Sequence, residues 1–121
     1  MQKQHLPPVL PRVVAEHIDA VNAFDTDRVV ATFATDALVN DNHREFWGAR
    51  AIRDFVAREI VGDHVTMAVT EVIEHDGLIA VRARYDGDYD KTGLPDKLIL
   101  TNYFTVTDGR ISTLFIIHNQ A

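Results

Sequence analysis

The chain has 121 residues, 46% of them hydrophobic and 25% charged, no cysteine, and a net charge of −6 with histidine neutral. That is one domain, large enough to bury roughly two-thirds of its unfolded surface without staples, and it excludes disulfide scaffolds, thiolate zinc sites and cysteine nucleophiles. A basic stripe for a nucleic-acid backbone and an apolar run of about 20 residues for a membrane span are both missing, and the 6 histidines are the unusual count.

Residues 1–10, broken by Pro7 and Pro8, hold no continuous apolar run. They read as an extended lead-in rather than a signal peptide, which predicts a cytoplasmic protein. A single domain is expected over 11–121. Pro11 suits a first helical turn. Val14, Ile18, Val21 and Phe24 then recur at helical spacing and predict a helix over 11–24. Asp25 or Thr26 caps a short second helix with Val29, Val30 and Phe33 on its apolar side. A strand is expected from Asp36 through 37–42, followed by a loop over 42–46. A third helix is expected over 49–61, with Ile52, Phe55, Val56 and Ile60 as its stripe and Gly62 as its stop.

From His64 the period changes from helical to alternating. Val65, Met67, Val69, Glu71 and Ile73 share one side of a strand. Asp76-Gly77 predicts a hairpin turn into a strand over 78–86. Residues 87–96 are rich in Gly, Asp and Pro and read as a loop. Strands over 97–107 and 110–118 flank a second tight turn, Asp108-Gly109. Helices first and strands afterwards predict an α+β fold, with three N-terminal helices covering one face of a curved, mostly antiparallel sheet.

The element order and three segments resemble a known superfamily. These segments are Thr35-Asp36-Ala37-Leu38-Val39-Asn40-Asp41, Trp47-Gly48-Ala49-Arg50-Ala51-Ile52 and Asp108-Gly109-Arg110-Ile111. They are similar to the NTF2-like group, which includes ketosteroid isomerase, SnoaL-like polyketide cyclases, scytalone dehydratase and limonene epoxide hydrolase. The resemblance covers about 11–118 and implies a cone with a pocket inside. It implies much less about function, because the same cone hosts enzymes and plain binding modules.

Among those enzymes, the positional match to ketosteroid isomerase puts the family's base on Asp41. Its tyrosine donor falls on or beside His17, its aspartic acid donor on Asn102, and an aromatic near the base on His118. Both donor types are therefore replaced here, and only the base is kept. Arg84-Tyr85-Asp86 matches part of the epoxide hydrolase pattern. The second aspartate of that pattern has no counterpart in Leu114-Phe115-Ile116-Ile117.

The residues carry their own reading beside this. Asn102 shares a strand face with Leu98, Leu100, Phe104 and Val106, so it is either a structural amide or a ligand-facing one. Asp41 shares a face with Ala37 and Val39. It is either a general base on an apolar wall or a strand-end residue facing solvent. His118 follows Leu114 and Ile116 by alternation and either orients Asp41 or frays with the terminus. His17, beside the stripe of the first helix, is either a donor to a carbonyl oxygen or a satisfied core-edge residue. His17, Asp41 and His118 have the residue types of a two-histidine, one-carboxylate site. No His-x-x-x-His pair supports one, so neither metal nor cofactor is expected.

His43 is expected at the pocket rim, and His5, His64 and His75 at the surface. Trp47 is expected to pack as a lid or anchor under the third helix, and Tyr85 is a candidate pocket phenol. Ile99, Thr101, Tyr103, Ile111, Thr113 and Phe115 are expected on the outer sheet face, which predicts a sheet-to-sheet homodimer. Taken together, these readings predict a cofactor-free acid/base enzyme acting on a small apolar, carbonyl-bearing substrate. In it Asp41 takes a proton, Asn102 and His17 hold the oxyanion, and His118 tunes Asp41. The alternative is a non-catalytic binding or dimerisation module.

Overall fold

The structure, a computed structural model, describes residues 10–118. The lead-in over 1–9, with His5, lies outside the described residues, as do 119–121.

Helix α1 spans Arg12–Asn22 and buries Val14, His17, Ile18, Ala20 and Val21. The imidazole therefore sits inside the apolar stripe rather than beside it. Phe24 takes a left-handed backbone (φ 56°) that ends the helix and turns the chain. Helix α2, Thr26–Ala31, starts at Asp25, whose side chain accepts from the Arg28 backbone N–H at 3.1 Å. At its other end the Thr32 hydroxyl donates to the Val29 carbonyl at 2.6 Å.

Helix α3, Gly48–Phe55, runs on into a π-helical turn, Val56–Val61. The outer limits match the sequence reading, but the inner hydrogen bonding does not. A π turn accommodates an extra residue, and such turns occur frequently at functional sites. Past its end, the Val65 N–H reaches back five residues to the Ile60 carbonyl at 2.9 Å. Gly62 is required at the end of this turn, since a Cβ there would run into the Arg58 carbonyl oxygen.

Six strands form one sheet: β1 Phe33–Asp41, β2 Arg44–Trp47, β3 Thr66–His75, β4 Leu78–Asp86, β5 Leu98–Thr107 and β6 Arg110–Ile117. Their order is β2-β1-β6-β5-β4-β3. Every pairing is antiparallel except β1 with β6, which run parallel. Asp76-Gly77 and Asp108-Gly109 both have positive φ at both residues, as paired hairpin turns require.

Strand β2 replaces the loop expected over 42–46. Its turn, Asn42-His43, also has two positive φ values, 50° and 76°. It lacks the glycine that normally signals such a hairpin, so the pattern was hidden. The Asn40 side chain compensates by accepting the His43 N–H at 2.9 Å.

Two bulges upset strict alternation. In β3 the register slips between Val69 and Glu71, so Val72 takes the inward place opposite buried Val81 and Ile73 turns outward. In β6 the slip falls at Ser112, between the Val106–Ile111 and Thr105–Thr113 pairs. Ile111, expected on the outer face, is buried in the core instead. Trp47 is a further correction. It is 63% exposed on edge strand β2, and its indole N–H donates to Glu45 at 3.2 Å. It is neither lid nor anchor.

The core lies between the helices and the inner sheet face. Val39, Leu114, Phe104 and Ile79 are register neighbours across four strands and are all buried. This apolar row closes the narrow end of the cone.

Candidate functional site

The next row toward the open end is different. Asp41 pairs with Ile116, Ile116 with Asn102, and Asn102 with Val81. Two polar side chains thus stand on one transverse line, on strands β1 and β5, with the isoleucine of β6 between them. Two strand spacings put their backbones about 10 Å apart. Neither strand reveals this proximity by itself, because the parallel pairing of β1 with β6 creates it.

The cavity has two parts. A mouth of about 170 Å³ is lined by Asp41, Glu59, Asp63, Tyr89 and Leu100, among others. A floor chamber of about 20 Å³ is lined by His17, Val39, Asn102 and Leu114, among others. Phe55, Ile60, Val65, Tyr85 and Ile116 line both and form the neck between them. Ile60 comes from the π turn, so the irregular end of the third helix walls the neck.

At the mouth, the Arg44 guanidinium clamps two carboxylates. It donates to Asp41 at 2.6 Å and to Glu59 at 2.7 and 3.0 Å. It also lies 5.5 Å from the Phe46 ring centre and 5.9 Å from that of Phe55, which are stacked rings. The two carboxylates hold the guanidinium pKa above its ordinary value. Arg44 was missed in the sequence because it lies on the unforeseen strand β2. It pairs directly with Asp41 in the antiparallel register.

At the neck, the Tyr85 hydroxyl donates to Asn102 Oδ1 at 2.7 Å, and Asn102 Nδ2 donates to the Val81 carbonyl at 3.3 Å. Burial raises the phenol's pKa. The Asn102 bond opposes this, and the negative charge of Asp41 adds to it. Tyr85 is therefore a protonated donor at neutral pH. Asn102 is inward-facing, as its strand pattern predicts.

At the floor, His17 is 5% exposed, with its ring edge-on to Phe33 and Phe104 at 5.3 and 5.5 Å. Nδ1 lies 3.1 Å from the Thr32 hydroxyl oxygen. That hydroxyl spends its own hydrogen on the Val29 carbonyl. Nδ1 must then carry the proton, which leaves Nε2 as an acceptor. Burial pushes the imidazole down to about 4.

This last value predicts a pH effect. The folded pKa lies below the free value of 6.5, so protons favour the unfolded chain. The contribution is intact above pH 6.5 and is lost as pH falls toward 4. The expected loss is about 2 kcal/mol by pH 5. Urea midpoints at pH 7 and pH 5 check it, and His17→Gln should flatten the difference.

His118 is half-buried beyond the end of β6, and among the described residues no hydrogen bond joins it to Asp41. Arg44 occupies the position expected of His118. His43 is exposed in its hairpin. His64 is exposed and contacts Asp88 at 2.8 Å, and His75 is exposed beside Asp76. The described residues contain no group of three or more His, Asp or Glu placed to hold a metal ion. They also contain no helix long and apolar enough to cross a membrane.

A curved six-stranded mixed sheet covered by three helices is the NTF2-like α+β cone. An NTF2-like protein of unknown function from Cytophaga hutchinsonii superposes with a TM-score of 0.73 at 12% identity, covering 98% of this chain and 95% of that one. The chain belongs to the SnoaL-like domain family, whose pattern it matches over residues 14–114. A Sinorhizobium meliloti protein provisionally named a polyketide cyclase is 31% identical, with a TM-score of 0.79 over 88% of this chain and 94% of that one. A Catenulispora acidiphila protein with a ketosteroid isomerase-like fold, solved with trimethylamine, is 16% identical, with a TM-score of 0.76 over 92% and 88%. A search of curated proteins finds no significant match.

Proposed function

We propose that the protein is a cofactor-free acid/base enzyme that takes a small apolar, carbonyl-bearing molecule through the mouth of the cone. The Asp41–Ile116–Asn102 row carries this reading: a carboxylate and an amide stand on one line of the inner sheet face, two strands apart, with an apolar residue between them. Asp41 removes a proton from the carbon next to the carbonyl. Arg44 holds the carboxylate in position. The Tyr85 hydroxyl, at the neck, turns its one hydrogen from Asn102 Oδ1 to the oxygen as negative charge develops there. His17 is left out of the oxyanion role because its ring is tied to the Thr32 hydroxyl beneath the neck, away from Asp41 and Tyr85. Isomerisation, aldol-type cyclisation and dehydration all begin with this step. A screen of carbonyl compounds, followed by deuterium exchange at the adjacent carbon, tests it. Exchange that depends on Asp41 supports the reading, and binding without exchange refutes it.

A non-catalytic binding module is the second reading. It is favoured by the commitment of Asp41 to Arg44 and of Asn102 to Tyr85 and Val81. Both readings leave the outer sheet face to be covered. There Asn40, Phe115 and Tyr103 are register neighbours beside exposed Ile117, and they suit a second copy packed sheet to sheet. Sedimentation at micromolar concentration should give a dimer, and Phe115→Arg should give a monomer. A clean monomer of the unaltered protein overturns this arrangement.

A further inference from the structure

Behind the apolar row that closes the narrow end of the cone, the surface is hollow again. The Asp108-Gly109 turn, the start of α1 and the end of α2 enclose a cleft of about 590 Å³ there. That lies within the usual size of small-molecule sites, about 300–1,000 Å³. The cleft shares no lining residue with the mouth or the floor.

Three elements each bring one arginine to it: Arg12 from α1, Arg28 from α2 and Arg110 from the first turn of β6. Glu16 is the one carboxylate in the described wall, and its contact with Arg12 is long, at 3.6 Å, and exposed. Among the described residues, neither Arg28 nor Arg110 has a carboxylate within 4.0 Å. The carboxylates next to Arg28 in sequence are engaged elsewhere. Asp25 accepts the Arg28 backbone N–H, and Asp27 pairs with Arg53 at 2.8 Å. Three positive charges thus face one negative charge, in a chain whose net charge is −6. Like charges gathered in one concavity repel, and an anion seated among them removes that cost.

Two further features agree. The first turn of α1 holds no acidic residue and Pro11 provides no side-chain cap, so the positive end of that helix is uncompensated. Pro11, Val13, Ala31 and Val106 add an apolar surface beside the charges. Residues 1–9, which lead into Pro11, contain Lys3 and His5 and no acidic residue, so the chain's own lead-in does not supply the missing negative charge.

We propose that this rear cleft binds a small organic phosphate monoester, with the phosphate among the three guanidiniums and the apolar body against Val13, Ala31 and Val106. The charge count selects the class. A wall of net +2 matches a monoester, which carries about −1.5 to −2 at neutral pH, and its three oxygens offer one partner to each arginine. A lone carboxylate would leave one positive charge over. The mouth, lined by Asp41, Glu59 and Asp63, repels the same group. The proposal therefore stands apart from the acid/base reading.

Titration of the full chain with phenyl phosphate, followed by amide resonances, tests it. The Val13 and Gly109 amides should shift and that of Asp41 should not. Benzenesulfonate, close in shape with one charge fewer, should bind about fivefold or more weakly. The double variant Arg28→Gln/Arg110→Gln, at two exposed positions, should lose about tenfold or more in phenyl phosphate affinity. Its melting temperature should stay within a few degrees. Unmoved Val13 and Gly109 amides, or undiminished binding by the double variant, overturn the site. Equal binding of the two probes overturns the phosphate class.

Discussion

Phe104→Ala is expected to destabilise the domain by about 3–5 kcal/mol. The ring is 0% exposed, lies in the apolar row between Ile79 and Leu114, and meets the His17 ring edge-on. Four elements converge on it: β4, β6, α1 through His17, and its own β5. Hydrogen-bonded strands surround the site and cannot collapse into the space left behind, so the cavity cost adds to the lost burial. For a domain of ordinary stability that loss is a third or more of the total. The melting temperature should fall by about 12–20 °C. Ile73→Ala is the matched control, since that side chain is 48% exposed past the β3 bulge and should change stability by less than about 1 kcal/mol. A Phe104→Ala protein that melts within a few degrees of the unaltered one contradicts this account of the core.

Asp41→Asn is expected to lower proton-transfer turnover by about 10²–10⁴-fold while leaving ligand affinity within a fewfold. The amide keeps the shape of the carboxylate and can still accept from Arg44, so the mouth should keep its form. It has no basic oxygen for the proton. Arg44→Gln separates position from basicity. It removes the clamp on Asp41 and Glu59 and should reduce turnover less than the loss of the base itself. Equal turnover in the Asp41→Asn and unaltered proteins would remove Asp41 from the chemistry and leave the binding reading.

Much of the fold was legible in the residues, for identifiable reasons. The first helix shows a clear stripe, Asp25 is a strong cap, and two Asp-Gly turns mark the two later hairpins. The edge strand β2 was hidden because Asn42-His43 adopts the same backbone without glycine. The bulges at Ser112 and after Val69 were hidden because alternation presumes an unbroken register. Ile111 and Ile73 were misplaced for that reason.

The site was legible in part. Asn102 faces inward, as a lone amide in an apolar row suggests. His17 lies on the cone side of α1. The partner of Asp41 was not legible, since Arg44 is three residues away in sequence and becomes its neighbour only through the hidden hairpin. The tautomer of His17 depends on Thr32, fifteen residues on. No spacing rule links the two.

The parallel pairing of β1 with β6 has a kinetic consequence. The first strand and its β2 hairpin join the sheet solely through the sixth strand, whose partner residues lie more than seventy positions later in the chain. During synthesis the helices and β1 must wait with an apolar face uncovered until β6 has emerged. Pairings of such long sequence separation carry a large loop-closure cost before any contact repays it. The domain should therefore fold in milliseconds to seconds rather than microseconds, in one late, cooperative step that assembles the Asp41–Ile116–Asn102 row and the sheet together.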